Sequence, residues 1–225
     1  MSSKYIIRKN QCKNIKIHVI TLCTKNYDKI GCYGANALKK YCDDNGYLFT
    51  LYREKMIPEL HINFTKNWIT IDAINKTSAD YVVLIDSDIE IVNPYIKIEN
   101  IFNINPFTIF YAPKDFYDNQ YESNNKINGG FMIWKKCKRS IELNEMWIHF
   151  AKNQCKGLIG PPQQTVYDNC LSKIIYPYEL EYLDHNLVGM TYSKFIRQTK
   201  DTKLGWEKMN SPRLLICKLG LMDNE

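Results

Sequence analysis

The stretch Tyr81-Val82-Val83-Leu84-Ile85-Asp86-Ser87-Asp88 constrains this chain more than any other. A short apolar run, rich in β-branched residues, ends abruptly in two carboxylates. It is far too short to span a membrane and reads as a buried strand. An unpartnered charge is costly to bury, so Asp86 and Asp88 belong at the strand's exit. If the extended geometry persists through Ser87, the two acids share a face. Neighbouring carboxylates repel unless a cation lies between them. Oxygen ligands suit a hard divalent ion, Mn²⁺ or Mg²⁺. The alternative is an ordinary turn after a strand, where Asp and Ser are common.

The length of 225 residues fits one α/β domain or at most two small ones. Hydrophobic residues make up 45% and charged residues 24%, the balance of a globular protein. The net charge of +6 is spread in pairs such as Lys39-Lys40 and Lys135-Lys136. It favours a phosphorylated or otherwise anionic small ligand, and a solvated basic surface explains it equally well. No basic stripe is dense enough for nucleic acid.

None of the eight cysteines forms a C-x-x-C pair, which argues against structural zinc. Residues 1–14 are polar and basic without the apolar core of a signal peptide. No segment approaches the roughly 20 apolar residues of a membrane helix. These features lead to the expectation of a soluble, reduced, cytoplasmic protein.

The patterning alternates between strand and helix. Ile15–Leu22 is predicted as a strand, Ala35–Asn45 as a helix closed by Gly46, and Tyr47–Tyr52 as a second strand. Asn67–Thr77 is predicted as a helix with Trp68, Ile71 and Ile74 on one side. Tyr81–Ile85 is the third strand. This order implies a parallel sheet covered on both faces. Ligands in such sheets bind outside the carboxyl ends of the strands, where Asp86, Asp88 and the Thr21–Tyr27 loop lie. Further on, Ile89–Val92, Thr108–Ala112 and Ile127–Trp134 read as strands, the last interrupted by Gly129-Gly130. Leu143, Met146, Trp147 and Phe150 recur with helical spacing and read as core. Gln163–Leu171 is predicted as a short helix and Leu214–Leu219 as a final strand.

With these landmarks in order, the chain resembles the GT-A fold glycosyltransferases, which use nucleotide sugars. Asp86-Ser87-Asp88 stands in place of the family's D-x-D motif. Ile89-Glu90-Ile91-Val92-Asn93-Pro94 looks like the strand and turn that follow it. Asn128-Gly129-Gly130-Phe131 fits the later Asn-x-Gly strand. Gln163-Gln164 fits a helix start that usually carries an acidic residue before its Gln, so the acid is absent here. Trp68, before the third strand, is similar to the galactosyl- and mannosyltransferase group. The resemblance spans about residues 15–220. It implies one GT-A (Rossmann-like) α/β domain over residues 1–225, with a nucleotide-binding half at about 15–93 and an acceptor half at about 94–220. Two departures stand out. Ile216-Cys217-Lys218-Leu219-Gly220 lacks the late His that serves many relatives as a third metal ligand. Thr70 stands where relatives often have Lys. Cys217 is a soft ligand, ill suited to Mn²⁺ or Mg²⁺.

The resemblance implies roles for these residues. Asp86 and Asp88 would hold the metal that neutralises the departing diphosphate. Thr21, Cys23 and Tyr27 would line the nucleotide site, with Tyr27 stacking on the base. Trp68, Ser87, Asn128, Gly129, Gly130 and Gln163 would surround the donor, and Lys218 would touch its diphosphate. Gln164, Asp184 and His185 are the catalytic candidates, the last two as the base of an inverting transfer, for which Asp168 also qualifies by type. Plain structural alternatives stand beside these roles: an ordinary loop aromatic for Tyr27, a strand bulge for the glycines, a helix-start surface residue for Gln164, and a structural role for His185. The partners implied are a nucleotide-diphosphate sugar and a glycan, protein or small-molecule acceptor. Two other readings compete. A degenerate, binding-only domain would explain the absent His and acid. A haloacid-dehalogenase-type phosphatase shares Asp-x-Asp after a strand, though there on the first strand.

Overall fold

The computed structural model describes residues 15–114, 116–117, 121–122, 127–153, 162–189 and 193–198. Lys218 and Cys217, with the expected strand at 214–219, lie outside them. The element order is β1 (Ile17–Leu22), α1 (Asp28–Asn45), β2 (Leu48–Tyr52), α2 (Thr65–Lys76), β3 (Tyr81–Ile85) and β4 (Ile89–Ile91). There follow β5 (Phe110–Pro113), β6 (Phe116–Tyr117), β7 (Tyr121–Glu122), β8 (Phe131–Lys135), α3 (Lys138–Asn153) and α4 (Pro162–Asn169). The last described strands are β9 (Leu180–Leu183), β10 (Val188–Gly189) and β11 (Ile196–Gln198).

Six strands form the main sheet in the order β2-β1-β3-β8-β5-β9. The pairs β1–β2, β1–β3 and β5–β9 are parallel, and β8 runs antiparallel to both β3 and β5. All strands but β8 therefore point the same way. The carboxyl ends of β1, β2, β3, β5 and β9 gather at one edge, together with the amino end of β8. A smaller sheet, β10-β11-β4, and the hairpin β6-β7 complete the described strands.

Alternation along the central strands makes two cores, one on each face. Val82 and Leu84 of β3, Met132 and Trp134 of β8, and Phe110 and Ala112 of β5 share a cluster with residues of α2, α3 and α4. Tyr81, Val83 and Ile85, Phe131 and Ile133, and Tyr111 face the other way, into α1 and the small sheet. Strands buried on both faces read as continuous apolar runs, which is why β3 was so conspicuous. The fold is thus α/β, a mostly parallel mixed sheet flanked by helices. No described helix is long and apolar enough to cross a membrane.

Helix α1 ends as expected, with Gly46 at φ 71° and Tyr47 N–H returning to Cys42 O at 2.9 Å. It begins seven residues earlier than Ala35, because its first turns hold Gly31 and Gly34, which weaken the helical signal. Leu143 and Trp147 are buried, as the helical spacing predicted, and Met146 and Phe150 pack against the same core.

His18 of β1 is buried, with Nε2 2.8 Å from Thr50 Oγ1. Burial disfavours its charged form and holds its pKa below the ordinary 6.5. The unfolded chain therefore takes up a proton first as pH falls, so this stability is full above 6.5 and is lost below it. The urea midpoint should fall between pH 8 and pH 5.5, and His18→Gln should flatten that fall. Some slope remains in the variant, since His61 is shifted in the same direction. An unaltered slope would show that His18 does not titrate within the folding transition.

Candidate active site at the carboxyl edge of the sheet

Strand β3 carries its charge out of the core at Asp86. Ile89 N–H donates to Asp86 O at 3.1 Å, closing a tight turn through Ser87 and Asp88. Asp86 N–H donates to Gly130 O at 2.9 Å, which ties this turn to the segment entering β8. Ser87 is buried beneath α1. The fit there is close: a Cβ at Gly31 would lie 2.7 Å from Ser87 Oγ and 2.6 Å from Cys23 Sγ. Only a residue without a side chain allows α1 to approach the D-x-D turn this far.

The carboxylate of Asp86 has a partner that the sequence did not disclose. Lys66, in the first turn of α2, places Nζ 2.6 Å from Oδ1 and 2.7 Å from Oδ2. The two side chains are only 12% and 17% exposed. Thr70, where the resemblance sought a lysine, donates its hydroxyl to Lys66 O at 2.8 Å. The lysine thus stands one helical turn earlier, on the same face. That spacing was the available signal for it.

Asn128 and the two glycines form a turn that leads into β8, rather than an interruption within it. Asn128 Oδ1 accepts from Gly130 N–H at 2.7 Å, and Asn128 N–H donates to Pro113 O at 2.8 Å. This side chain bends the backbone away from the ladder, so the strand begins at Phe131. Gly129 faces α4: a Cβ there would lie 3.0 Å from Gln163 Oε1 and 3.9 Å from Gln164 Cγ.

A buried chain of amides supports the site from below. Gln163 Nε2 donates to Asn67 Oδ1 at 3.0 Å, and Asn67 Nδ2 to Asn144 Oδ1 at 2.9 Å. Asn144 Nδ2 continues to Ser140 O at 2.9 Å. Trp147 Nε1 donates to Gln163 O at 3.0 Å. Gln163 is buried, with its amide engaged with Asn67. Trp68 likewise packs against the core. Asn67 adjoins Lys66 in sequence and Gln163 adjoins Gln164, so the relay sets the relative positions of two polar groups at the edge.

On the other side of β3 lies the loop after β1. Thr21 is fully buried, and its hydroxyl has no protein partner among the described residues. Cys23 N–H donates to Tyr52 O at 2.9 Å. Its thiol lies 3.9 Å from Asp28 Oδ1, and burial pushes its pKa up, which keeps it protonated. Arg53 pairs with Asp28 at this corner. Tyr27 is exposed.

Asp184 and His185 follow β9 at the same edge, three strands along from β3. At about 4.8 Å per strand the backbones are separated by roughly 14 Å. Asp184 Oδ1 accepts from Asn186 N–H at 2.9 Å and from Asn186 Nδ2 at 3.0 Å, capping its own turn. Asp168 lies on α4, its carbonyl bound by Ser172 Oγ at 2.9 Å. Among the described residues no third His, Cys, Asp or Glu joins Asp86 and Asp88 in a metal-binding cluster. Two hard carboxylates still match a cation that takes its remaining ligands from substrate phosphates and water.

The sequence profile of the nucleotide-diphospho-sugar transferase family matches residues 82–215, more than half of the chain. Among solved structures, the chain is similar to a glycosyltransferase involved in the glycosylation of the major capsid of PBCV-1. The TM-score is 0.67 at 17% identity, over 85% of this chain and 96% of that one. It is also similar to the glycosyltransferase GlyE of Streptococcus pneumoniae TIGR4, with a TM-score of 0.50 at 12% identity, over 92% of this chain and 63% of that one. At these identities the likeness is one of fold. No curated protein matches the chain.

The relay generates a stability prediction. Gln163→Leu leaves Asn67 Oδ1 buried without its donor, at a cost of about 1–3 kcal/mol. The urea midpoint should drop accordingly. An unchanged midpoint would show that the amide contributes nothing net.

Proposed function

The chain belongs to the nucleotide-diphospho-sugar transferase family, and from that footing we propose a metal-dependent glycosyltransferase whose donor lies at the carboxyl edge of the sheet. The observation that carries the reading is Asp86-Ser87-Asp88 held at that edge by Lys66, Gly31 and Gly130. Asp86 and Asp88 would hold Mn²⁺ or Mg²⁺. A bound cation there would supply Lewis-acid stabilisation to the departing diphosphate.

The chain's own residues do the remaining work. Lys66 compensates the charge of Asp86 before any ligand arrives, and its ammonium lies at the edge where donor charge would gather. The turn at Gly129-Gly130 offers bare backbone for the close approach of a sugar. Of the three catalytic candidates, Gln164 lies beside this turn, while Asp184 is engaged with Asn186. Gln164 is therefore our assignment for the polar group nearest the reacting carbon. Tyr27, exposed at the exit of β1, is our assignment for the aromatic that stacks on the base. Lys218 keeps its proposed contact with the diphosphate.

A thermal-shift panel of nucleotide sugars, with and without Mn²⁺, tests the reading. A true donor at a hundred times its Kd should raise the melting temperature by roughly 5–10 °C. Asp86→Asn and Asp88→Asn should abolish the Mn²⁺-dependent part of that shift while the circular dichroism spectrum is retained. A full Mn²⁺-dependent shift in both variants would overturn the metal assignment. Release of nucleoside diphosphate from the same donor separates an enzyme from a binding-only domain.

Gly129→Val should weaken donor-sugar binding at least tenfold more than nucleoside-diphosphate binding, because the new side chain would push on Gln163 and displace the neighbouring Gln164, our assignment for the group beside the sugar. Equal weakening of both ligands in titration calorimetry would show that the glycine serves only the turn.

A further inference from the structure

Away from the proposed site, one surface stands apart in its chemistry. Phe107, Tyr176 and Tyr178 are 68%, 55% and 57% exposed. They are gathered rather than scattered. The rings of Tyr176 and Tyr178 lie 3° from parallel with centroids 5.4 Å apart. Phe107 stands edge-on to Tyr178 at 6.5 Å and 80°. This is offset stacking, which leaves part of each aromatic face uncovered.

The backbone beneath these rings is held firmly. Tyr176 N–H donates to Glu179 Oε2 at 3.0 Å. Arg139 Nε donates to Glu179 Oε1 at 3.0 Å, and its Nη2 to Ile174 O at 3.2 Å. Thr108 Oγ1 donates to Tyr178 O at 3.2 Å. Glu179 O accepts from Ile109 and Phe110 at 2.9 and 3.0 Å. The Arg139 guanidinium lies 5.9 Å from the centre of the Tyr176 ring. Little ordering remains to be done when a ligand binds, which favours affinity.

Phe107 precedes β5, and both tyrosines precede β9. The cluster therefore sits at the opposite end of the strands from Asp86. Along β5 the distance from Phe107 to the carboxyl edge is about 20 Å at 3.3 Å per residue.

Size decides what kind of partner fits. Three partly exposed aromatic rings offer about 300–400 Å². A stable protein interface needs about 800 Å² from each side. One or two sugar rings match the smaller figure. Their C–H faces are apolar and flat and would lie on the exposed ring faces, while their hydroxyls project from the edges of the sugar into water. We propose that Phe107, Tyr176 and Tyr178 form a carbohydrate-binding surface, distinct from the carboxyl edge, that takes a neutral oligosaccharide chain. It is independent of the donor-site reading.

Binding of the full chain to sensors coated with galactomannan, xyloglucan, laminarin or dextran tests this. All four are neutral, so the chain's positive charge does not drive the signal. The wild-type protein should bind at least one. Tyr176→Ala and Tyr178→Ala should each weaken that binding roughly tenfold. Tyr176→Phe and Tyr178→Phe should keep it, and so should Asp86→Asn. Binding to none of the four overturns the proposal, as does binding that the alanine variants leave intact or that Asp86→Asn abolishes. A wild-type dimer in sedimentation that Tyr178→Ala disperses would overturn it too, by showing that the face joins two copies.

Discussion

The ion pair between Lys66 and Asp86 is the contact on which the candidate site depends. Strand β3 is buried on both faces, so the first charge after it must be met at once. Lys66 meets it with contacts to both carboxylate oxygens, in a place where both side chains are largely withdrawn from water. The pair fixes the amino end of α2 against the exit of β3. It also leaves an ammonium at the edge where we propose that an anionic donor binds. Two neighbouring carboxylates would otherwise repel, and a resident lysine relieves that repulsion.

The pair is supported from both faces of the sheet by residues with little or no side chain, and by amides. On one face Gly31 lets α1 close over Ser87 and Cys23. On the other, Gly129 lets α4 approach, and the relay Gln163–Asn67–Asn144 joins α4 to α2 and α3. Each amide in that relay finds a partner, which is the condition under which a buried polar network rigidifies rather than destabilises. Helix α2 therefore turns Asn67 and Thr70 inward beside Ile69 and Ile74, where the apolar spacing of Trp68, Ile71 and Ile74 pointed to a simpler face.

Some of this was legible in the sequence. Strand β3 and its acids could be read because an uninterrupted β-branched run has few alternatives, and a charge can only follow at its end. The parallel order of the first three strands followed from the alternation of elements, and Gly46 marked the end of α1. Other features rest on contacts between distant segments. Lys66 meets Asp86 across twenty residues of chain. Strand β9 escaped notice because Leu180-Glu181-Tyr182-Leu183 offers only two aliphatic residues, and the parallel pairing with β5 is what makes it a strand. The glycines looked like part of a strand because apolar residues flank them, and Asn128's bond to Gly130 N–H is what turns them out of it.

The candidate site was legible in its residue types and less so in its division of labour. Both Gln163 and Gln164 were expected at the donor. Adjacent helical residues point about 100° apart, so the two side chains meet different surroundings. The structure puts Gln163 inward, onto Asn67 and against Gly129, and leaves Gln164 the more exposed of the two. The same reasoning applies to Asp184, whose carboxylate meets Asn186 two residues on. A local bond of that kind forms without any ligand, because Asp readily accepts from the backbone two residues later. Residue type alone ranked Asp184 and His185 first as a base. Their position along the sheet edge, three strands from Asp86, sets both well apart from the turn that carries the paired acids.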